Sequence, residues 1–455
     1  MKTLPALSRA GLFSLFLLLP AFLKPAGAQT LSGGGGEANP SLRTNAAALR
    51  QWQSARFGLF MHWGPISLRG TEIGWSRGKE VPVDDYDSLY REFDPVLFNA
   101  AAIVKLARDA GMKYLVFVTK HHDGFCMWNT AFSSYNIMAG PFHRDVLREI
   151  ADACNQQGLE FGTYYSIPDW HHPDYTTRHG TDTRLVDSTL MPSYIRYMKS
   201  QLKELIRDYH TRILWFDGEW ERSWTHRDGM DLYTYVRSLQ DDLLVNNRVD
   251  KGWEGIKGPI PEGRFAGDYR TPEQEIGAFD IQHPWETCMT LCEQWSWKPN
   301  DKMKSLKECI QALARTAGGG GNLLLNVGPM PDGRIEKRQR DRLLEIGLWL
   351  QKYGESIYGT RGGPYKPGEI MASTRNGNKV YLHLFAWTEG KLTLPALAER
   401  KVLSASLLRG ERLKCTVIHD SLVLDLPNIA HDPDDAVIVL ELDGDAETIL
   451  PVPGK

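Results

Sequence analysis

The chain has 455 residues, 42% of them hydrophobic, which is enough for one large core and an appended domain. Its formal charge is only −3 and Lys and Arg form no run, which excludes nucleic acid or an anionic membrane surface as a natural partner. Six Cys in a chain of this length exclude a disulfide-stapled framework, and a zinc ribbon would need a second close Cys pair besides Cys288 and Cys292.

Residues 1–28 read as a secretory signal: Lys2 and Arg9, an apolar stretch over 11–23, and Ala26-Gly27-Ala28 as a cleavage site. The stretch is too short, and too interrupted by Pro20 and Pro25, for a membrane span. No Cys precedes Cys126, so no N-terminal lipid anchor is expected. The mature chain is expected to be exported without a membrane anchor: periplasmic or extracellular, or lysosomal in a eukaryote. Residues 29–47, with the Gly33-Gly34-Gly35-Gly36 run, form a flexible lead-in.

From residue 48 strand-like and helix-like runs alternate. A strand over 57–63 precedes a helix around 96–110 and a strand over 114–119. The helix over 145–157 places Val146, Leu147, Ile150, Ala151 and Cys154 on one face. A strand over 161–166, a helix through 195–209, a strand over 213–216, a helix near 232–239 and a strand over 243–247 follow. The Gly- and Pro-rich stretch 251–284 breaks the alternation and is expected to form long loops at the active site. Leu306, Cys309, Ile310 and Leu313 mark another helix, 323–327 another strand, and Leu343, Ile346, Gly347 and Leu350 the closing helix. Cys154 and Cys309 lie on apolar faces as buried thiols, whereas Cys288 and Cys292 could pair. This alternation predicts an α/β fold, a (β/α)8-like, TIM-type barrel, over 48–358. After Gly362-Gly363-Pro364, short runs such as 380–385 and 436–442 predict a C-terminal antiparallel β-sandwich domain over 366–455.

Ile213-Leu214-Trp215-Phe216 is apolar on both faces and runs straight into Asp217. Such a strand is covered by helices, so the carboxylate sits at the sheet's carboxyl edge, where barrels carry their active sites. Other strands end similarly, in Met61-His62-Trp63-Gly64, Lys120-His121-His122-Asp123-Gly124 and Tyr164-Tyr165-Ser166. Pyranose rings need this mixture: polar donors and acceptors for hydroxyls, flat aromatic surfaces for the C–H patches. Glycoside hydrolysis needs two carboxyl groups, one ionised and one protonated. Asp217 suits the first. Glu273, in Thr271-Pro272-Glu273, and Glu286, in Trp285-Glu286-Thr287-Cys288, are candidates for the second, although Thr-Pro-Glu also opens helices. Gly318–Gly321 lacks the Lys-Ser/Thr of a nucleotide loop and reads as a turn.

Over 48–364 these motifs, with Trp-Phe-Asp-Gly-Glu-Trp at 215–220 and Gly-Gly-Asn-Leu-Leu-Leu-Asn-Val-Gly-Pro at 320–329, resemble the α-L-fucosidases of glycoside hydrolase family 29. The resemblance implies an exo-acting, retaining enzyme with Asp217 as nucleophile. It implies that His62, His121 and His122 bind fucose hydroxyls and that Tyr165 and Arg248 line the same pocket. Trp75, Trp215 and Trp297 would form the wall around the ring and its methyl group, whose burial is worth about 0.8 kcal/mol. Glu273 is the preferred acid/base and Glu286 the alternate. A fucosylated glycan is the implied partner; no cofactor and no metal is implied, and no oligomeric state is assigned. Three positions depart from the family pattern: Asn247 where Asp is usual, Gly74 where Glu precedes Trp75, and Lys298-Pro299 where Gly-Tyr follows Trp297. They bear on the aglycone side and hence on linkage preference. The competing readings are a barrel metallohydrolase, against which stands the missing His-x-His on the first strand, and a fucose-binding protein that has lost catalysis.

Overall fold

The computed structural model describes residues 42–251, 266–397 and 400–454; the expected signal and most of the lead-in lie outside them. Strand and helix alternate in the order α1 (Ala46–Ala55), β1 (Phe57–Met61), α2 (Val83–Ser88), α3 (Ala100–Asp109), β2 (Tyr114–Lys120), α4 (Val146–Gln157), β3 (Glu160–Ser166), α5 (Met191–Arg207), β4 (Ile213–Asp217), α6 (His226–Leu239), β5 (Leu244–Val245), β6 (Glu286–Thr290), α7 (Leu306–Gly319), β7 (Asn322–Val327) and α8 (Lys337–Tyr353). Side-chain caps set the starts of α1, α3, α4, α6 and α7. Asn99 accepts from the Ala102 amide, so α3 begins four residues later than its apolar pattern predicts. Capping boxes open α6 (Thr225 with Asp228) and α7 (Ser305 with Glu308).

The seven strands form one parallel sheet in the order β5-β4-β3-β2-β1-β7-β6. Between its two edges runs the segment 268–274, which bridges to both and turns at Gln274 with φ +55°. The Asp268 amide donates to Val245 O at 2.6 Å and the Asn247 amide to Tyr269 O at 2.9 Å on one side. On the other, the Glu286 amide donates to Arg270 O at 2.8 Å and the Gln274 amide to Cys288 O at 2.9 Å. This segment takes the eighth position of the barrel, so only part of the stretch expected to be loop is loop. Pro272, which has no N–H, and a partner that changes sides keep it from forming a regular ladder.

Period-two alternation sorts the strand residues into two cores. Phe60, Tyr114, Val116, Tyr164, Trp215, Cys288 and Leu324 pack inside the barrel, floored by Leu49 and Trp52 of α1. Leu59, Leu115, Phe117, Tyr165, Leu214, Phe216 and Leu325 pack outward, against helix residues such as Ile103, Ile150, Leu202, Leu313 and Leu343. Gly58 faces inward where a Cβ would lie 2.3 Å from the Tyr114 ring, so glycine makes room for that phenol.

Beyond the barrel come β8 (Arg361–Gly362), β9 (Met371–Asn376), β10 (Lys379–Leu384), β11 (Gly390–Pro395), β12 (Val402–Leu407), β13 (Arg412–Leu413), β14 (Cys415–Ile418), β15 (Ser421–Leu426) and β16 (Ala436–Leu442). They form a six-stranded antiparallel sheet, β13-β12-β16-β10-β9-β8, and a three-stranded one, β11-β15-β14. Val380, Leu382, Leu422, Leu424, Ile438 and Leu440 fill the core between them. The alternate residues Tyr381, Val437 and Val439 join the barrel's outer core, which fixes this domain to α7 and α8. All six Cys are free, including Cys288 and Cys292.

Candidate active site

Asp217 ends β4 and is nearly buried. Gly218 turns the chain with φ +98°, and a Cβ there would lie 1.9 Å from the Pro168 ring, so glycine is sterically required after Asp217. The Asn246 side chain clamps the strand just before it, accepting from the Phe216 amide at 2.8 Å and donating to the Phe216 carbonyl at 2.9 Å. Asp217 Oδ1 accepts from Arg248 Nη1 at 2.8 Å and Oδ2 from the Tyr164 hydroxyl at 2.9 Å.

Arg248 follows β5 and is buried. Its Nη2 pairs with Glu273 Oε2 at 2.8 Å, and Nε donates to Thr271 Oγ1 at 3.0 Å. The guanidinium carbon lies 4.7 Å from the centre of the Trp215 ring. One planar cation therefore holds Asp217 and Glu273 on adjacent nitrogens, a geometry that lysine could not supply. Asn247 Oδ1 accepts from Thr271 Oγ1 at 2.9 Å, so the residue that departs from the family pattern still orients the segment bearing Glu273.

These groups border a pocket of about 180 Å³. His62, His121 and Tyr164 line it with Asp217, Arg248 and Glu273, and Phe60, Trp75, Trp215, Trp220 and Trp295 give it aromatic walls. Asn326 donates through Nδ2 to Trp295 O at 2.7 Å, which turns its Oδ1 to His62 Nδ1 at 2.6 Å. His62 therefore carries its proton on Nδ1 and leaves Nε2 as an acceptor. Ser166 donates to Pro168 O at 2.6 Å and lies 2.6 Å from His122 Nδ1, which assigns that ring the same tautomer. Burial drives the basicity of both rings down, to about 3, with His122 adding to the effect at His62 and His179 at His122. His121, stacked on Tyr164 with ring centres 5.5 Å apart, is also held well below its ordinary range by burial. Three neutral imidazoles thus surround the carboxylates and offer hydrogen bonds without compensating their charge. Among the described residues, no three His, Cys, Asp or Glu side chains group as metal ligands.

Of the residues expected from sequence, His62, Trp75, His121, Trp215, Asp217, Arg248 and Glu273 meet in this pocket. His122 stands just behind it, its Nε2 3.6 Å from Asp217 Oδ2. Three expectations need correction. Tyr165 faces outward, donating to Gln201 Oε1 at 2.7 Å, because the neighbouring Tyr164 takes the inward position in register with Trp215. Trp297 does not line the pocket; Trp295, whose ring centre is 4.8 Å from that of His62, does. Glu286, the alternate acid/base, is a layer deeper at the amino end of β6. It is fully buried and accepts from Tyr114 at 2.5 Å and Trp215 Nε1 at 3.1 Å. Sequence reading assigned no role to Tyr164, Asn326, Trp295 or Glu219. Counting inward positions back from Asp217 and across to β3 could have found Tyr164. The others depend on long-range packing.

A family model described as alpha-L-fucosidase matches residues 37–355. The tissue alpha-L-fucosidase of Bos taurus is 30% identical over 385 residues, covering 77% of this chain and 77% of its own length. Among solved structures, alpha-L-fucosidase isoenzyme 1 from Paenibacillus thiaminolyticus superposes with a TM-score of 0.78 at 35% identity, covering 87% of this chain and 99% of that one. A GH29 alpha-L-fucosidase from Bacteroides thetaiotaomicron, trapped as a covalent intermediate with 2-fluoro-fucosyl fluoride, gives a TM-score of 0.78 at 27% identity, over 88% and 97% of the two chains.

Proposed function

Because this chain belongs to the α-L-fucosidase family, whose members hydrolyse α-L-fucosides with retention by double displacement, we propose that Asp217 and Glu273 divide that chemistry between them. Asp217 is the nucleophile: it attacks the anomeric carbon and the fucosyl–oxygen bond to the aglycone breaks. Glu273 gives the departing oxygen a proton, then takes one from the water that releases fucose from Asp217. The observation that carries this assignment is Arg248, whose two terminal nitrogens hold both carboxyl groups at the mouth of one small pocket. In the free protein Glu273 is paired to that cation. A sugar hydroxyl that takes over the Arg248 contact frees Glu273 to turn to the departing oxygen.

The remaining pocket groups suit one fucose ring. The Nε2 of His62 accepts a hydroxyl proton, Tyr164 and Arg248 keep Asp217 aligned, and Trp215 and Trp295 cover apolar ring atoms. The pocket's small volume favours a terminal sugar over an internal one, which makes the action exo. Trp75 and Trp220, 37% and 40% exposed with nearly parallel rings, border the aglycone side. With no side-chain carboxylate at Gly74 this side accepts simple aryl groups. The substrate is a terminal α-L-fucoside on a glycan. The expected signal sequence takes the chain to an exported or lysosomal compartment; among the described residues no helix is long and apolar enough to cross a membrane. We also assign catalysis to 48–358 and a supporting role to 366–455.

Turnover of an aryl α-L-fucoside beside a panel of other aryl glycosides tests this reading, with the anomer first formed identified by NMR. Release of the α-anomer from the fucoside alone is expected; an inactive protein that still binds fucose would select the binding-protein alternative.

A further inference from the structure

Glu219 lies two residues past Asp217, in the turn that follows β4, yet it is only 3% exposed. Its Oε2 is buried with no hydrogen-bond partner among the described residues. Besides a hydrogen bond from its own backbone amide, the groups acting on it come from three elements: Arg248 after β5, Asp217 at the end of β4, and Glu273 on the 268–274 segment. Arg248 is the cation that acts on it most strongly, and its guanidinium already serves Asp217, Glu273 and Thr271. The imidazoles of His62 and His121 in the pocket, and of His122 behind it, are held neutral by burial and add no positive charge. The turn itself is tied down. Glu221 accepts from Trp170 Nε1 at 3.4 Å and its carbonyl from Lys251 Nζ at 2.5 Å.

Resting on the fucosidase reading, we propose that Glu219 is a positioning residue that works as a neutral carboxylic acid, leaving Arg248 to the Asp217–Glu273 pair. Burial, reinforced by the two carboxylates against the pull of Arg248 and of its own backbone amide, pushes its carboxyl up to about 8. Loss of its proton to solvent would add a third negative charge to the field of one guanidinium that already pairs with two. The new charge must then draw Arg248 away from Asp217 and Glu273, or carry the 218–221 turn towards water, because an unpaired buried carboxylate is too costly to keep. Either movement acts on a residue adjoining Asp217. Displacing a reacting atom by a fraction of an ångström to an ångström costs rate steeply. Glu219 touches no substrate atom in this scheme and acts through Arg248 and the turn.

The test is the pH dependence of kcat/KM for α-L-fucosyl fluoride, whose leaving group departs without a proton and so removes Glu273 from the first step. Each profile is scaled to its own acid plateau, so that an overall loss of activity does not count. The protein should fall off above about pH 8, about tenfold per unit, and Glu219→Gln should extend its plateau by at least about one unit. Glu219→Asp covers the case in which the Gln variant does not fold: it keeps a carboxyl on a shorter stem, and its alkaline limb should move by about half a unit or more. An alkaline limb unmoved in the variant that folds, or a flat unsubstituted profile, overturns the proposal while leaving the fucosidase reading intact. No turnover of the fluoride at any pH overturns both.

Discussion

The two ends of the barrel treat carboxyl groups in opposite ways. At the carboxyl end, Asp217 and Glu273 share the Arg248 guanidinium and face a solvent-connected pocket. At the amino end, Glu286 has only neutral donors, the Tyr114 phenol and the Trp215 indole, and burial pushes its carboxyl up to about 7. At the end to which we assign the chemistry, a cation pairs with both carboxyl groups. Neutral donors in a dry core instead hold a side chain still: Glu286 fixes the indole against which Arg248 stacks. Residue type is the same at both ends, so the counter-charge and the access to solvent, not the carboxyl itself, separate chemistry from support.

The sharpest break of this contrast is at Asp217. Asp217→Gly removes the covalent intermediate and should cut turnover by about 10⁴-fold or more. Azide should restore part of it and yield the β-fucosyl azide, since the anion enters from the vacated side. Near-normal activity in this variant would refute both mechanism and site.

Glu273 and Glu286 separate next. Glu273→Ala should slow fucosides with poor leaving groups by about 10²- to 10⁴-fold, and activated aryl fucosides far less, because an activated phenoxide departs without a proton. Azide should speed its second step and give the α-fucosyl azide. Glu286→Ala should depress all substrates alike and lower stability by roughly 2–5 kcal/mol, because the Tyr114 and Trp215 donors lose their acceptor. Steady-state kinetics on a series of leaving groups, with unfolding measured in parallel, decides the assignment; leaving-group dependence at Glu286 would reverse it.

The same contrast gives stability a sign in pH. Glu286 has a raised pKa in the fold, so its contribution is complete below its unfolded value near 4.5 and is lost as pH rises through about 7. For His62 and His122 the folded value is depressed, so their contribution is complete above about 6.5 and is lost as pH falls towards about 3. Two His gaining outweigh one Glu losing until the His contribution is complete, so these groups together place maximum stability near about pH 6.5. Glu286→Gln should remove the loss that Glu286 contributes between about pH 4.5 and 7, on the order of 3 kcal/mol, as read from Tm measured across pH.

Much of this was legible in the sequence because local pattern carried it. Apolar runs ending in Asp217 and in the three His marked strand ends, and Asp217, His62, His121, Arg248, Trp75 and Trp215 do meet in one pocket. The resemblance supplied Glu273, which composition could not separate from a helix opener. The illegible parts depend on contacts distant in sequence. Residues 268–274 take a barrel position although their Gly and Pro read as loop, because the bonds that hold them come from β5 and β6 in turn. Trp295 replaces Trp297 through packing on His62, whose tautomer in turn is set by Asn326, 264 residues away.

The finest version of the comparison lies within one dipeptide. Tyr164 and Tyr165 point to opposite sides of β3: the first donates to Asp217, the second to Gln201 in the layer beneath the helices. Tyr164→Phe removes one hydrogen bond to a charged acceptor, worth roughly 1.5–3 kcal/mol, and should cost about 10- to 100-fold in kcat/KM with little change in Tm. Tyr165→Phe removes a neutral hydrogen bond in the outer core and leaves Gln201 Oε1 without that donor. It should lower stability by about 1–2 kcal/mol and leave kcat/KM within about twofold. The two variants differ from each other by one hydroxyl on adjacent residues, so bulk and hydrophobicity cancel between them. If Tyr165→Phe were the one to lose activity, β3 would have to pair one residue out of register, which would turn Ser166 away from His122 as well.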